Sequence, residues 1–568
     1  MLHVRWLGRV RYRDALALQQ ALYDRPGTNH LLLLEHDPVY TLGVRAELAN
    51  VLTPPEDVGA ELVKVQRGGD VTYHGPGQLV GYPVLDVTSR RGGGMADTAA
   101  YVAGVAQLLI DAVADLGLLG CTYDPAYPGV WAPARLGEPP GLPPRKLAAI
   151  GVKLSRGRSM HGFALNVTDE PLPWFGHIVP CGLTDRSVTS LAREGIVVTM
   201  RQVVDAVTRR AAERWGGPDA RVDRADVVWR ARADGSDLAP FSRGEGAGAP
   251  VRLVGRLAAA GVTDGLAVTE RKPDWLRPKV RHVGEVLEVR KLLRGLDLVT
   301  VCEEAGCPNL SECWADGTAT FMINGEQCTR ACGFCLVDTS KPRPLDPDEP
   351  RRVAEAVARL GLHFAVVTSV ARDDLPDGGA AAFAATIRAI RATVAGCRVE
   401  VLIPDCKGDP AALGVIFDAR PDVLNHNIET VARLQRAARP SASYARSLGV
   451  LGSAKRAGLV TKSSIIVGMG ETDDEVCQTL GDLAAIGVDI VTVGQYLRPT
   501  SHHLPVARWV EPDAFARFKA AGEAMGIAHV ESSPLTRSSY HARQAAGAAA
   551  GGEGAGSPVA VAAPGRRR

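Results

Sequence analysis

Six of the 11 cysteines in this 568-residue chain crowd into residues 302–335. No other feature constrains the fold as much, because thiols packed this densely share a partner. In a long chain, such a cluster points to metal or catalysis before disulfides. The six fall into two triads. Cys328, Cys332 and Cys335 stand with three and two residues between them, in CTRACGFC. Three thiolates on one tight loop can hold three irons of a 4Fe-4S cluster and leave the fourth iron open. A structural zinc site would want four ligands in paired short spacings, and no suitable partner pair lies nearby. Cys302, Cys307 and Cys313 form the second triad, in CEEAGCPNLSEC.

The rest of the chain frames this window. Its length calls for two or more domains. With 46% hydrophobic and 23% charged residues, it reads as globular. A formal net charge of +2 provides no field for nucleic acid. The start, MLHVRWLGRVRYRD, lacks the apolar core of a signal peptide, and no run approaches the roughly 18 apolar residues of a membrane span. The expectation is a cytoplasmic protein without membrane or nucleic-acid partners.

Hydrophobic periodicity divides the chain. In the first half HLLLLEH reads as a buried strand and residues 98–116 as a helix. KLAAIGVKL and HGFALNV read as two strands joined by the polar turn SRGRS. These features predict a mixed α/β sheet domain over residues 1–233. Residues 234–268 include the Gly-, Ala- and Pro-rich run ADGSDLAPFSRGEGAGAP and read as a flexible linker, with a short helix as the alternative toward the end. Over residues 269–545, β-branched runs (FAVVTSV, VEVLIPD, VLNHNI, SSIIVGM, DIVTVGQYL) alternate with Ala-rich helical stretches. That alternation predicts a parallel (β/α) TIM-type barrel, complete or partial. Residues 546–568, Gly/Ala-rich and ending in three arginines, read as a disordered tail.

The CTRACGFC spacing resembles the radical S-adenosylmethionine superfamily. Two cysteine triads, together with RSSYHA, TFMINGEQ, VTSVARDDLPDGGA, LNHNIETVARL and YLRPTSHHLPVARWVEP, closely resemble lipoyl synthase. The resemblance implies a partial barrel binding two 4Fe-4S clusters and S-adenosyl-L-methionine. Cys328, Cys332 and Cys335 would hold the radical-generating cluster. Cys302, Cys307 and Cys313 would hold an auxiliary cluster completed by Ser539, with Ser538 as the runner-up. The auxiliary cluster would surrender the sulfur inserted at octanoyl carbons 6 and 8. An electron donor such as ferredoxin or flavodoxin is implied. Ser340, Cys406 and Ala382 depart from the family pattern without touching a ligand. Cys397, Cys406 and Cys477 read as small buried apolar residues.

The first half carries a subtler pattern. RGGDVTYHGPGQLVGYP holds two glycines that let a ligand approach the backbone closely. Lys146 lies in RKLAAIGV and Cys181 in IVPCGLTDRSVTSL. A cysteine suits transfer from a thioester, since one thioester replaces another at little energetic cost. A nearby lysine can lower its pKa or take its proton. From spacing alone an inert, buried Cys181 is the better reading. These segments, however, resemble the octanoyltransferases of the lipoate-protein ligase B family, of the biotin/lipoate ligase fold, across residues 25–200. The resemblance implies Cys181 as nucleophile and Lys146 as its activating partner. It implies a substrate tunnel lined by Arg67, Gly68, Gly69, Asp70, Val71, Thr72, Tyr73, His74, Ala149, Ile150, Gly151, Gly162, Phe163 and Ala164. The implied partners are octanoyl-acyl carrier protein and the lipoyl domains of 2-oxoacid dehydrogenases and the glycine cleavage H protein. Two segments are longer than expected, ARLGEPPGLPPR and NVTDEPLPWFGHIVPCG. ATP-dependent ligation for the first half, and biotin synthase or a non-catalytic iron–sulfur scaffold for the second, are the rival readings.

Overall fold

The structure is a computed structural model that describes residues 1–87, 97–134, 144–179, 187–228, 255–266, 270–277, 283–296, 298–300, 309 and 319–549. Cys181, Cys302, Cys307 and Cys313, most of the linker and most of the tail lie outside the described residues. Two compact units divide the chain. The first comprises Met1–Trp229 and Tyr444–Gly449, and the second Arg230–Ser443 and Val450–Arg568.

The first unit is built on β1 (Leu2–Val10), β2 (Asn29–His36), β3 (Val39–Leu42), β4 (Glu61–Lys64), β5 (Val71–His74), β6 (Gln78–Val84), β7 (Thr122–Tyr123), β8 (Gly129–Ala132), β9 (Arg145–Ser155), β10 (Arg158–Asn166), β11 (Ser187–Val188) and β12 (Val222–Asp226). Its main sheet runs β12-β1-β2-β6-β10-β9-β8-β7, with β11 beside β9. A small second sheet runs β4-β3-β5. The β1–β2 pair is parallel while β2–β6, β6–β10 and β10–β9 are antiparallel, which makes the main sheet mixed.

The helices Thr98–Asp115 and Met200–Trp215 cover one sheet face. The first begins where the Asp97 side chain accepts the Ala100 N–H, and the second at a capping box of Thr199 and Gln202. By length and composition Thr98–Asp115 is apolar enough to cross a membrane. Its buried Val105, Leu108, Leu109, Ala112 and Val113 belong to the core with Leu31, Leu33 and Leu165, which accounts for that apolarity.

The second unit holds β13 (Val299–Thr300), β14 (Ala319–Ile323), β15 (Phe364–Ser369), β16 (Arg398–Leu402), β17 (Val423–Asn425), β18 (Thr461–Val467), β19 (Ile490–Gln495) and β20 (His529–Ser532). They pair in sequence order, and every pair from β14 to β20 is parallel. Helices such as Glu349–Arg359, Ala380–Thr393 and Asp473–Ala485 cross between successive strands. Among the described residues β20 does not pair back to β13 or β14, so the barrel is open and partial. Phe321, Ile323, Val367, Val399 and Val401 pack against Phe383 and Ile387 of the covering helices. Deep in this unit the ammonium of Lys462 donates to both Glu400 oxygens, at 3.0 and 3.1 Å, and Asn425 Nδ2 donates to Oε1 at 3.0 Å. The pair is fully buried and compensated, as a buried charge must be.

Toward the end of the expected linker, residues 255–259 are helical, with Leu257 and Ala260 buried. Cys397 and Cys406 are buried, but Cys477 is only half-buried, because its helix turns that face partly to solvent.

Candidate functional site

In the first unit the loop after β4 carries Arg67 and lies flat against β9. The Gly68 N–H donates to Val152 O at 3.0 Å. A Cβ on Gly151 would come within 2.9 Å of Gly68 O, and one on Gly43 within 2.3 Å of Gly69 O. Only glycine lets these backbones touch. The same holds across β6 and β10, where a Cβ on Gly162 would sit 2.1 Å from Gly81 O. Register brings the expected segments together. Gly162, Phe163 and Ala164 pair with Gly151, Ile150 and Ala149, and Phe163 also pairs with Gly81.

A polar chain, every bond running in one direction, crosses this unit. The buried Arg67 guanidinium donates from Nε and Nη2 to Thr41 Oγ1 at 3.1 and 2.9 Å. The Thr41 hydroxyl meets His74 Nε2 at 3.4 Å, and His74 Nδ1 meets Gln78 Oε1 at 2.8 Å. Gln78 Nε2 donates to Asn166 Oδ1 at 2.9 Å, and Asn166 Nδ2 donates to Thr189 O at 2.9 Å. Since Gln78 Oε1 can only accept, His74 carries its proton on Nδ1 and accepts at Nε2. Burial, reinforced by His36 and Arg67, lowers the His74 pKa to about 3, so the ring is neutral. Burial likewise lowers His161 to about 3 and His36 to about 4.

The chain ends beside Lys146. Thr189 N–H donates to Lys146 O at 2.9 Å, and Val188 of β11 pairs with Lys146. The Lys146 ammonium lies 4.7 Å from the centre of the Trp131 ring. The segment with Cys181 is flanked by described anchors, Val179 N–H on Asn50 O at 2.8 Å and β11 on β9.

Two expected lining residues are occupied with structure. The Asp70 carboxylate accepts from Asn50 Nδ2, Val71 N–H and Glu47 N–H, pinning its loop. Tyr73 is fully buried and stacks on Trp174 at 5.0 Å, and its hydroxyl has no hydrogen-bond partner among the described residues. Sequence reasoning passed over Thr41, Gln78 and Asn166. Their signal was present as amide and hydroxyl side chains at buried strand positions beside apolar neighbours, VYTL, QLVGYPV and GFALN.

In the second unit the loop after β14 brings Cys328, Cys332 and Cys335 into one cavity of about 600 Å³. Ser538 and Ser539 line the same cavity. Its walls come from the carboxyl ends of the parallel strands, where this architecture places its chemistry. Backbone bonds hold the loop: Cys328 N–H to Asp338 O at 2.7 Å, Gly333 N–H to Ala438 O at 2.8 Å, and Leu504 N–H to Gly333 O at 2.9 Å. All three cysteines are free thiols.

Burial pushes the Cys332 pKa up to about 11 and, with Cys332 as neighbour, Cys335 up to about 12; burial raises Cys328 too. Burial alone does the same to the isolated Cys406, so what fits an iron–sulfur cluster is the gathering of three free thiols from one loop around one cavity. No three His, Cys, Asp or Glu side chains among the described residues gather tightly enough for a single ion. A four-iron cluster spreads its ligands more widely. Glu429 and Arg439 also line the cavity. Burial raises the Glu429 carboxyl pKa and Arg439 pulls it partly back; Arg439 Nη1 donates to Asn427 O and Ile428 O at 3.0 Å, and Asn427 Nδ2 donates to Glu429 Oε1 at 3.1 Å.

Of the second triad's stretch only Asn309 is described. Buried, it donates from Nδ2 to Leu535 O at 2.6 Å, which ties Asn309 to the segment just ahead of Ser538 and Ser539. Ser340 caps a turn by donating to Asp338 Oδ2 at 2.7 Å, and Ala382 packs against the barrel core.

Comparisons with known proteins divide the chain in the same place. Residues 11–212 match the lipoyl protein ligase A/B catalytic domain family, and residues 322–483 match the radical SAM superfamily. A lipoyl synthase of Rubrobacter xylanophilus is 58% identical over 275 residues, covering 48% of this chain and 86% of that protein. A lipoyl synthase of Mycobacterium tuberculosis is 54% identical over 287 residues, covering 50% of this chain and 92% of that protein. Among solved structures, a bi-partite lipoate protein ligase of Thermoplasma acidophilum aligns with 39% of this chain and 85% of its own, at 16% identity and a TM-score of 0.31. The chain belongs, through its C-terminal half, to the lipoyl synthase family of radical SAM enzymes, with a lipoyl protein ligase A/B catalytic domain fused ahead of it, and is an enzyme of lipoate biosynthesis.

Proposed function

We propose that the two units act in series on one protein substrate in the cytoplasm. The first, residues 1–233, takes an octanoyl group from octanoyl-acyl carrier protein. The Cys181 thiolate attacks the thioester carbonyl and the carrier thiol leaves. The ε-amine of a lipoyl-domain lysine then attacks, and the Cys181 thiolate leaves. Lys146 stabilises that thiolate and takes the proton of the incoming amine. Lipoyl domains of 2-oxoacid dehydrogenases and the glycine cleavage H protein are the acceptors.

The second unit, residues 269–545, inserts sulfur at carbons 6 and 8 of the bound octanoyl chain. S-adenosylmethionine and a 4Fe-4S cluster on Cys328, Cys332 and Cys335 supply the radical chemistry, and a second 4Fe-4S cluster on Cys302, Cys307, Cys313 and Ser539 supplies the sulfur. Glu429 and Arg439 orient the amino-acid end of the cofactor. Leu402, Ile403, Ile465 and Ile466 give the cavity an apolar wall for a fatty chain and keep water away. Fusion through residues 234–268 raises the local concentration of the second unit near the first unit's product.

The observation that carries this reading is the single cavity shared by three free thiols and the two serines. The test supplies the full chain with octanoyl-carrier protein, apo lipoyl domain, reductant and S-adenosylmethionine. Mass spectrometry of the lipoyl domain then separates octanoyl from dithiolane product. Octanoylation that depends on ATP and not on the carrier thioester would replace the first half of the proposal with ligation.

A further inference from the structure

Between Cys328 and Cys332 sits Arg330, with its guanidinium buried. Two carboxylates from adjacent strand ends grip it. Nε and Nη2 donate to Asp373 Oδ2 and Oδ1 at 2.6 and 2.8 Å, and Nη2 also donates to Asp405 Oδ1 at 2.6 Å. Asp373 follows β15 and Asp405 follows β16. Each acid is itself fixed. Asp405 Oδ1 accepts the Lys407 N–H at 3.0 Å, and Asp373 N–H donates to Thr329 Oγ1 at 3.0 Å. Thr329 N–H in turn donates to Ala371 O at 2.9 Å. The Arg330 N–H points at Cys328 Sγ, 3.4 Å away. Burial pushes the Asp373 carboxyl up, but the Arg330 hydrogen bond and charge prevail and hold it below the usual carboxylate range.

A planar guanidinium gripped by two acids fixes both the position and the rotation of its own backbone, which a single ion pair would not do. That backbone is the span joining two of the three thiols. We propose that Asp373 and Asp405 are positioning residues for the iron–sulfur loop: through Arg330 they hold Cys328 and Cys332 at the separation a cluster needs, and their negative charge keeps the cluster's reduction potential low. This rests on the reading of Cys328, Cys332 and Cys335 as cluster ligands. Lys407, whose ammonium reaches Asp373 O at 2.7 Å, offsets charge from the solvent side. Neutralising either acid therefore removes a negative charge from beside the loop, whatever the net sum, and makes the cluster easier to reduce.

The test uses the full-length reconstituted chain with Asp405→Asn, Asp373→Asn and Arg330→Lys. Both Asp variants are expected to lose iron to a chelator about tenfold faster, as removal of support behind a metal ligand does. Their midpoint potential, read by electron paramagnetic resonance, moves upward, while thermal unfolding of the metal-free chain stays near that of the parent. Arg330→Lys keeps the charge and lacks the fork, so iron loss quickens while the potential holds. Parent-like iron retention and potential in the Asp variants overturn the proposal. If Asp405→Asn does not fold, Asp373→Asn, on the more exposed side chain, decides by the same two readouts. Cys328→Ala is the separate control. Should that variant keep a parent-like cluster spectrum, the ligand assignment fails, and the clamp's own outcome is still read from the Asp variants.

Discussion

The two units build their sites from opposite materials. In the first, close backbone approach at Gly43, Gly151 and Gly162 and a chain of neutral groups, Thr41, His74, Gln78 and Asn166, hold the candidate residues. In the second, free thiols and charged groups gather where parallel strands end, with Arg330 between two acids and Glu429 facing Arg439. The difference follows from the ligands each would take. A fatty acyl chain and a neutral amine need shape and dryness. A metal cluster and a zwitterionic cofactor need soft ligands and compensated charge.

The comparison breaks most sharply at the reactive sulfurs. Cys328→Ala is expected to abolish sulfur insertion and to remove the iron and absorbance of one of the two proposed clusters while leaving octanoyl transfer intact; loss of both activities together would deny the units their independence. Cys181→Ala should lower octanoyl transfer by about 10³-fold or more, as removal of a nucleophile does. The same variant should still convert a lipoyl domain that arrives already octanoylated, which a product-resolved mass spectrum reads directly.

Smaller changes probe the neutral chain. Gln78→Leu leaves the His74 Nδ1–H and Asn166 Oδ1 without their partner in a buried setting. Such orphaned groups cost about 2 kcal/mol, measurable as a shift in the urea midpoint of the first unit. No change there would show that the relay is an incidental run of contacts.

The gentlest effect is on pH. His36, His74 and His161 have folded pKa values lowered by burial to about 4, 3 and 3. Below an unfolded value of about 6.5 the unfolded chain therefore binds more protons than the folded one. Their contribution is fully present above that pH and is lost progressively as pH falls through the folded values of about 4 and 3. Hydrogen exchange, corrected for its intrinsic rate, is expected to show the β2, β5 and β10 region loosening between pH 6.5 and 4. In the second unit His426 lies at about 4 for the same reason, and burial also lowers His503, so fewer groups drive the change and the barrel loosens less.

Much of the architecture was legible in local pattern. The helix read over residues 98–116 forms at Thr98–Asp115, and the strands read in KLAAIGVKL and HGFALNV form β9 and β10 around a turn at Arg156 and Gly157. The five β-branched runs of the second half form β15 to β19. The strands of the second half are buried on both faces, so each reads as a near-continuous apolar, β-branched run, while the helix shows its buried stripe at helical spacing. The CTRACGFC motif was equally legible, since its ligands lie within one loop and need no long-range contact to declare their spacing.

What the amino-acid sequence determined by itself was therefore local: the order of strands and helices, the thiol spacing, and two families of motif. Tertiary structure alone decided which distant residues meet. Strand register put Gly151 opposite Gly162, and the barrel's winding set Asp373 and Asp405 around Arg330 and carried Ser538 and Ser539 to the cavity of Cys328. Register and winding are settled by the whole core packing at once, and a sheet slipped by one residue would turn every side chain to its other face while keeping the same local pattern.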